Sequence, residues 1–538
     1  MIIVDPVTLG NAACTRPSLK WVYDRTGTLV AVPADTLAVS YDPSDLSAAP
    51  FAVVDLEPAT NAIRHSQNFS NSAWFKARTF IESNATIAPD GSQTGDRLYE
   101  DLTPSNSHYI GQAIPVDTAK THTKSLFVKA AEKSDVRLET YAEPSTATRA
   151  NVSFNMLTGE FYAAQVNGGA TQSYWAQELP NGWWRLFHTV HLGDSNPNMN
   201  YRVVLLDNGS SVYSGDGRSG IYVWGAQNVV GENRFSYIPT TDAAVTCAAD
   251  VIGPTAGLIY SNVPMVEPPY DAAVTYAKDA LVRDPVTHDV YRSLIDANKG
   301  KSLTDEASWN SRGKTNRWAM LDEYNNTQTT NPEEIVIVLS PQSICEGLFL
   351  GNTDADEIEL VVVDQSEGKV YSEVTSLVTA SGSSSYYDWC FRPADRADYY
   401  FTVAMPPYAS ALVTVVLRKP GGVAKCGMAV IGLVDDFGPS LYGLSASGKD
   451  FSSTTFNFDG TSKTQYRDYA KQMNVDVQVN NGEIDYIQRK LFQLRQRPIV
   501  WIGGPYGATA VFGRYVSFDI VIPGLLKSDM SLQIEGSV

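Results

Sequence analysis

The sequence predicts a mostly β protein: two antiparallel β-sandwich domains joined by a small β module, followed by a C-terminal α+β domain. Three observations predict it. Short segments throughout the chain alternate apolar and polar residues with a period of two, the signature of half-buried strands. Turn-forming steps separate them, among them Asp90-Gly91, Asn181-Gly182 and Asn208-Gly209, which favour the positive φ that tight hairpins need. Only one segment, 481–497, carries a convincing helical period. The 28 Tyr, 39 Gly and 28 Pro of the 538 residues fit the same picture of short strands and many turns.

Taken in order, residues 1–60 read as an extended arm with one hairpin. Leu19-Lys-Trp-Val-Tyr-Asp and Leu29-Val-Ala-Val flank a turn at Arg25-Thr-Gly-Thr. An arm this short cannot build its own core, so it is expected to pack on a neighbour. Residues 61–250 read as the first sandwich. Its strands are Ser125-Leu-Phe-Val-Lys-Ala, Val136-Arg-Leu-Glu-Thr-Tyr, Trp183-Trp-Arg-Leu-Phe-His-Thr-Val, Tyr201-Arg-Val-Val-Leu-Leu and Ile221-Tyr-Val-Trp. Pro239 fixes φ and lacks a donor, so an extended exit segment follows the last strand.

Residues 251–315 read as a linker and a small β module. Pro254, Pro264, Pro268 and Pro269 stiffen the lead-in. Residues 316–435 read as a second sandwich. Its strand-like segments include Glu334-Ile-Val-Ile-Val-Leu, Ile358-Glu-Leu-Val-Val-Val-Asp and Ala411-Leu-Val-Thr-Val-Val-Leu-Arg, rich in β-branched residues. Residues 436–538 form the α+β module. Ile484, Ile487, Leu491 and Leu494 make one apolar stripe, with Glu483 and Asp485 near the start and Lys490, Arg495 and Arg497 toward the end. Pro498 stops the helix. Val516, Phe518, Ile520 and Ile522, then Met530, Leu532 and Ile534, alternate as strands packed against it.

Several motifs carry a family resemblance. Asn68-Phe-Ser-Asn-Ser-Ala-Trp-Phe-Lys-Ala, Ala88-Pro-Asp-Gly-Ser-Gln-Thr-Gly-Asp-Arg-Leu, Asn181-Gly-Trp-Trp-Arg-Leu, Gly220-Ile-Tyr-Val-Trp-Gly-Ala-Gln and Ser236-Tyr-Ile-Pro-Thr-Thr occur in this order. Together they resemble the concanavalin-like or carbohydrate-binding-module-like jelly roll of tailed-bacteriophage tail and head-fibre proteins. The resemblance implies a jelly-roll topology, core positions for Trp74 and Trp224, and no catalytic residue. Tyr270-Asp-Ala-Ala-Val-Thr-Tyr, Val290-Tyr-Arg-Ser-Leu and Trp309 resemble a small chitin-binding-type module. Thr315-Asn-Arg-Trp-Ala-Met-Leu-Asp resembles the start of a galactose-binding-like jelly roll in the same phage proteins. Arg497-Pro-Ile-Val-Trp-Ile-Gly and the Ser-Leu-Gln-Ile-Glu-Gly ending also look like that family, which implies that the C-terminal α+β module is a docking domain.

Composition removes some classes of function. A net charge of −18, from 59 acidic and 41 basic residues, argues against a broad nucleic-acid-binding surface, because phosphates call for clustered Lys and Arg. No run of apolar residues is long enough for a transmembrane helix. The start, Met-Ile-Ile-Val-Asp-Pro, lacks a basic region followed by an apolar one, so no signal peptide is expected and the chain would be made in the host cytoplasm. Cys14, Cys247, Cys345, Cys390 and Cys426 are odd in number and widely spaced, so reduced, buried thiols are expected rather than a disulfide framework. His188 and His191 sit at i and i+3 of a strand and face opposite sides, so no metal site is expected there.

Reactive constellations are few. Asp354, Asp356, Glu357 and Glu359, and the pair Asp435 and Asp436, read as solvated turns rather than a glycosidase pair. A Ca²⁺ site within 352–359 is the alternative, without the central Gly of an EF-hand. No nucleophile elbow, zinc-protease helix or Walker loop is present. The sharper candidates are aromatic. Tyr174, Trp175, Trp183 and Trp184 surround the Asn181-Gly182 turn, and Tyr276, Tyr291 and Trp309 lie in the small module. Each set is read first as packing, with glycan stacking as the alternative.

The expectation is therefore a non-enzymatic virion protein of a tailed phage, placed in the tail, baseplate or fibre. Its partners would be other tail or baseplate proteins and further copies of itself in a symmetric oligomer, with no cofactor, no nucleic acid and no membrane insertion. The first alternative is a receptor-binding protein that holds host surface glycans; the second is a polysaccharide depolymerase.

Overall fold

The period-two segments of the 61–250 region become two facing six-stranded sheets in the computed structural model. The structure describes residues 1–537 except 144–146, 194–195, 197, 233–235, 380–394, 457 and 460; Cys390 lies outside the described residues. One sheet runs Thr79–Thr86, Gly95–Glu100, Gly220–Val230, Thr121–Ala130, Trp183–His191, Thr171–Glu178. The other runs Glu160–Asn167, Arg149–Asn155, Asp135–Glu143, Asn198–Leu205, Tyr109–Pro115, Phe75–Ala77. All the pairings are antiparallel. Trp74, Leu98, Leu126, Leu138, Phe154 and Val203 fill the space between the sheets. Trp74 and Trp224 are both buried, Trp224 in a separate cluster on the outer face of the first sheet. That cluster forms at a β-bulge. Gly225 has φ 60°, and a Cβ there would come within 2.7 Å of the Phe127 ring, so the bend requires glycine.

The interior of this sandwich is not continuous oil. On the strand Trp183–His191 the inward residues read Leu186, His188, Val190; on Asp135–Glu143 they read Leu138, Thr140, Ala142. The polar middle members fall between two separate apolar clusters, one holding Leu138 and Leu186, the other Ala142 and Val190. Lys124 lies opposite His188 on one side and Asn228 on the other. Its ammonium is fully buried and donates to Thr140 Oγ1. Among the described residues no carboxylate faces it, and burial pushes its pKa well below the usual lysine value.

Residues 13–60 pack on this sandwich, as their small size demands. Lys20–Tyr23 pairs with Leu29–Val32, and Ala38–Ser40 with Phe51–Val53, so the segment holds two hairpins rather than one. Tyr23 and Leu29 join Phe127, Trp183, Trp224 and Tyr237. The exit segment is tied to the same region by a buried ion cluster. Asp250 accepts from Arg16 and from Lys20, each at 2.6 Å, and from the Asp55 backbone N–H at 2.9 Å. Burial opposes the charge on Asp250, but Lys20, the Asp55 amide and Arg16 together hold its carboxyl below the usual range.

The chain forms two compact units, Ala13–Gly253 and Met1–Ala12 with Pro254–Val538. The expected arm is thus divided between them, because Ile2–Pro6 is a sheet strand. It pairs with the end of the long strand Leu412–Asp436 on one side and with Ile499–Ile502 on the other. Nor is there a break at 435/436. The strand Leu412–Asp436 pairs with Thr329–Ser340 and Glu357–Asp364, and its later half pairs with Gly347–Asp354. The second sandwich and the C-terminal sheet are therefore hydrogen-bonded through Ile2–Pro6 into one sheet of 14 strands. Among its described strands one pairing is parallel, Gly10–Asn11 with Gly257–Leu258. Ile335, Leu348, Leu360, Val415 and Leu417 form the main core here.

The single α-helix among the described residues is Ile484–Gln493, preceded by one 3-10 turn over Asn481–Glu483. It is shorter than 481–497 because the chain leaves helical geometry before Pro498. Ile487, Leu491 and Leu494 are buried against Val475, Val477, Trp501 and Leu532. Met530, Leu532 and Ile534 point inward as expected. The alternation expected over 516–522 breaks at a register shift between Tyr515 and Ser517, which leaves Val516 exposed while Phe518 and Ile520 still pack on the core; Ile522 is exposed because the strand ends at Val521. Overall the protein is mostly β, with layered sandwich-like sheets and a C-terminal α+β region.

Candidate functional site

The first aromatic set is split by the sheet it lies on. Trp183 and Trp184 are neighbours on one strand and point to opposite faces. Trp183 is 2% exposed, beneath Tyr23, Leu29 and Tyr237, and its indole N–H donates to the Ile87 carbonyl at 3.0 Å. Trp184 points inward, edge-on to Phe154 with ring centroids 5.3 Å apart, and donates to the Met156 carbonyl. Tyr174 shares its side of the sheet and lies 4.8 Å from Phe161; Trp175 faces the other way, 5.1 Å from Phe187. The four rings therefore form no common platform. Tyr174 is the most exposed of them, at 43%. A hollow of about 300 Å³ does lie beside the turn at Asn181. Lys129, Pro180, Asn181 and Trp183 line it together with Gly27, Thr86 and Gly91.

The second set is partly brought together. Tyr276 and Trp309 meet edge to face at 5.5 Å, and Tyr270, which the sequence reading left out, joins both. Trp309 is 2% exposed and donates to the Lys301 carbonyl; it is the core of the small module, and burial leaves it no free ring face. Tyr291 lies on Asp289–Ser293, opposite Val282 and Ser311, outside this ring cluster.

The acidic segment 352–359 is neutralised by cations across the sheet. Asp354 pairs with Lys419, Asp356 with Arg396, and Glu357 and Glu359 with Arg418 at 2.7 and 2.9 Å. Asp435 pairs with Lys490 at 3.0 Å. These carboxylates are turned toward ammonium and guanidinium groups rather than toward one another. Among the described residues no group of three or more His, Cys, Asp or Glu is placed to share a metal ion. Cys14, Cys247, Cys345 and Cys426 are free and buried. Desolvation pushes the thiols of Cys14 and Cys426 up to about 11 and about 12, away from reactivity.

One concave site was not foreseen. Within the unit that holds Pro254–Val538, a cavity of about 210 Å³ opens between the second sandwich and the C-terminal sheet. Phe349, Met428, Val511 and Phe512 form its floor, and Asn326, Asp398, Tyr399, Asp468 and Lys471 stand on its rim. Asn326 donates to Asp468 Oδ2 at 3.2 Å. Lys471 Nζ is 3.8 Å from Asp398 Oδ2 and 5.9 Å from the centre of the Tyr399 ring. The Tyr399 ring stacks with Phe401 at 6.4 Å and 23°. It lies so close to Gly507 that a Cβ there would be 1.8 Å away. These residues run from Asn326 to Phe512, and no local motif marks them; only the sheet continuity through Ile2–Pro6 assembles them.

No protein-family model matches the chain, and no curated protein does. Among solved structures, the enzymatically active domain of the bacteriophage CBA120 tailspike protein 4 is similar at 12% identity and a TM-score of 0.21, over 32% of this chain. This chain spans only about 21% of that domain's length. The tandem CBM22-1–CBM22-2 domain of Paenibacillus barcinonensis Xyn10C is similar at 7% identity and a TM-score of 0.20, over 70% of this chain and 99% of that one. A GH78 rhamnosidase of Bacillus sp. GL1 is similar at 8% identity and a TM-score of 0.16, over 78% of this chain and 37% of that one. The partial likenesses thus include a phage tailspike domain and a carbohydrate-binding tandem, and at these scores they carry no argument about site or activity.

Proposed function

We propose that this chain is a structural component of a tailed-phage virion, in the tail, baseplate or fibre, which joins neighbours and presents β domains. The observation that carries the reading is an arm over 445–469. Ser445–Asp450 pairs with the start of Tyr469–Asn480, and Ser453–Phe456 pairs with Ser462–Gln465. Apart from half-buried Phe451 and Ser452, every described residue of the arm is exposed, Phe456, Phe458 and Tyr466 each by more than three quarters. A two-stranded ribbon that buries so little is marginal in water, and bare aromatic side chains of this kind suit an interface. The partners are other tail or baseplate proteins and further copies of the chain in a symmetric oligomer. The reading contains no reacting centre, no nucleic acid and no membrane insertion, with synthesis in the host cytoplasm.

Cryo-electron microscopy of virions carrying a labelled copy of the chain tests this. Density at the tail, baseplate or fibres is expected; label absent from every particle overturns the reading. Release of reducing sugars from host polysaccharide would overturn its non-enzymatic part.

A second reading, a receptor-binding protein for host surface glycans, is favoured by the rim of Asp398, Tyr399, Asp468 and Lys471. A glycan array probed with the full chain tests it.

A further inference from the structure

We propose that the cavity ringed by Asn326, Asp398, Tyr399, Asp468 and Lys471 binds one neutral pyranose ring; this inference rests on the receptor-binding reading and names its site and ligand class. Size sets the first limit. At about 210 Å³ the cavity is below the roughly 300–1,000 Å³ of sites for drug-sized ligands, so a single small ring is the fitting occupant.

Chemistry sets the second limit. The floor is apolar: Phe349, Met428, Ala510 and Val511 are all buried. Gly351 and Gly536 add no side chain to the wall, and a Cβ at Gly536 would come within 2.9 Å of the Lys471 carbonyl oxygen. The rim offers acceptors and donors together. Asp398 Oδ2 faces Lys471 loosely and Asp468 Oδ2 accepts from Asn326, which leaves the second oxygen of each carboxylate for hydroxyl donors. The Lys471 ammonium has donors left for hydroxyl oxygens. A pyranose has an apolar ring face and a periphery of hydroxyls, each able to donate and accept. Two carboxylates against one ammonium give the rim a net charge of −1, which disfavours an anionic sugar.

Pre-organisation is the third argument. Tyr399 is held between Gly507 and Phe401, and its backbone is paired with Gly351. The ring is fixed before any ligand arrives, so little side-chain freedom is lost on binding. The site is not made of the rings near Asn181 or of the Tyr270–Tyr276–Trp309 cluster, so the two locations can be told apart by substitution.

The experiment uses the full chain, with saturation-transfer NMR and calorimetry. The probes are methyl α-glucoside, methyl α-galactoside and methyl α-mannoside, with galacturonate as the anionic control. At least one neutral glycoside is expected to bind saturably, and more tightly than galacturonate. Asp398→Ala and Asp468→Ala are each expected to weaken it about tenfold or more, the scale of one lost polar contact. Both side chains are largely exposed, so unchanged melting of the variants is the folding control. Tyr276→Ala is expected to leave affinity intact. If binding survives both cavity substitutions and falls in Tyr276→Ala, the cavity inference is overturned while the receptor reading stands. Tighter binding of galacturonate overturns the neutral ligand class. Absence of binding by all three glycosides overturns the inference, and a silent glycan array then removes the receptor reading as well.

Discussion

Replacing Lys124 with Met should make this protein more stable, by an amount that grows as the pH falls. The amine is fully buried, it donates to Thr140, and desolvation lowers its pKa well below the usual lysine value. In the unfolded chain the same amine keeps its ordinary pKa of ~10.4. Below that value the unfolded state binds a proton that the folded state refuses, so stability rises with pH through this window and is lost as pH falls. The slope is ~1.4 kcal/mol per pH unit over the span in which the folded amine stays neutral. Orphaning Thr140 Oγ1 costs about 1 kcal/mol in the variant, but that cost does not depend on pH. Other titrating groups, such as the raised thiols of Cys14 and Cys426, are common to both proteins and cancel in the difference. The advantage of Lys124→Met over the native chain should therefore widen as the pH falls below the unfolded amine's pKa, by at most ~1.4 kcal/mol per unit. Native-state hydrogen exchange in low urea reads this locally, from peptides within Thr121–Ala130 and Asp135–Glu143. Two parallel pH profiles would refute the reasoning, because they would mean that the folded amine is protonated or solvated. His188, pushed well below its usual value by burial, adds a slope of the same sign below its unfolded pKa of ~6.5.

Three further outcomes are expected. Asp250→Ala leaves Arg16 and Lys20 buried without their shared counter-charge and should cost about 3–5 kcal/mol; thermal melting together with proteolysis of the 13–60 segment measures it, and an unchanged melt rules out the buried triad as a determinant of stability. Gly507→Ala forces the Tyr399 ring to move, because the new Cβ would lie 1.8 Å from it; a loss of about 1–3 kcal/mol and a displaced ring in a crystal structure are expected, whereas an unmoved ring contradicts the packing described. Leu491→Ala removes a fully buried side chain from the helix–sheet interface and should cost about 2–5 kcal/mol in denaturant unfolding, while Tyr486→Ala, on the exposed side of the same helix, should cost well under half of that.

Much of the candidate chemistry was hard to read in advance, for a definite reason. The period of two says that Trp183 and Trp184 take opposite faces, but not that the 13–60 hairpins cover the outer one. An aromatic residue beside an Asn-Gly turn looks the same in sequence whether a hairpin lies over it or water does. Lys124 did carry a legible signal: a charged residue between His122 and Leu126 on the inward register of an apolar strand. The cavity carried none, since Asp398, Asp468 and Lys471 belong to unremarkable loop and strand sequences.

By itself, the sequence determined the local elements: the strands of both sheet regions, the hairpin at Gly27, and the helical stripe of Ile487, Leu491 and Leu494. These depend on side-chain periodicity and turn conformation, which act over a few residues. Only the tertiary structure decided that Ile2–Pro6 closes the C-terminal sheet, that the 1–60 arm divides between two units, and that one cavity gathers Asn326, Asp398 and Lys471. Those features depend on backbone hydrogen bonds between strands hundreds of residues apart. Any strand with the right alternation satisfies such bonds equally well, so the pairing is chosen by packing of the whole.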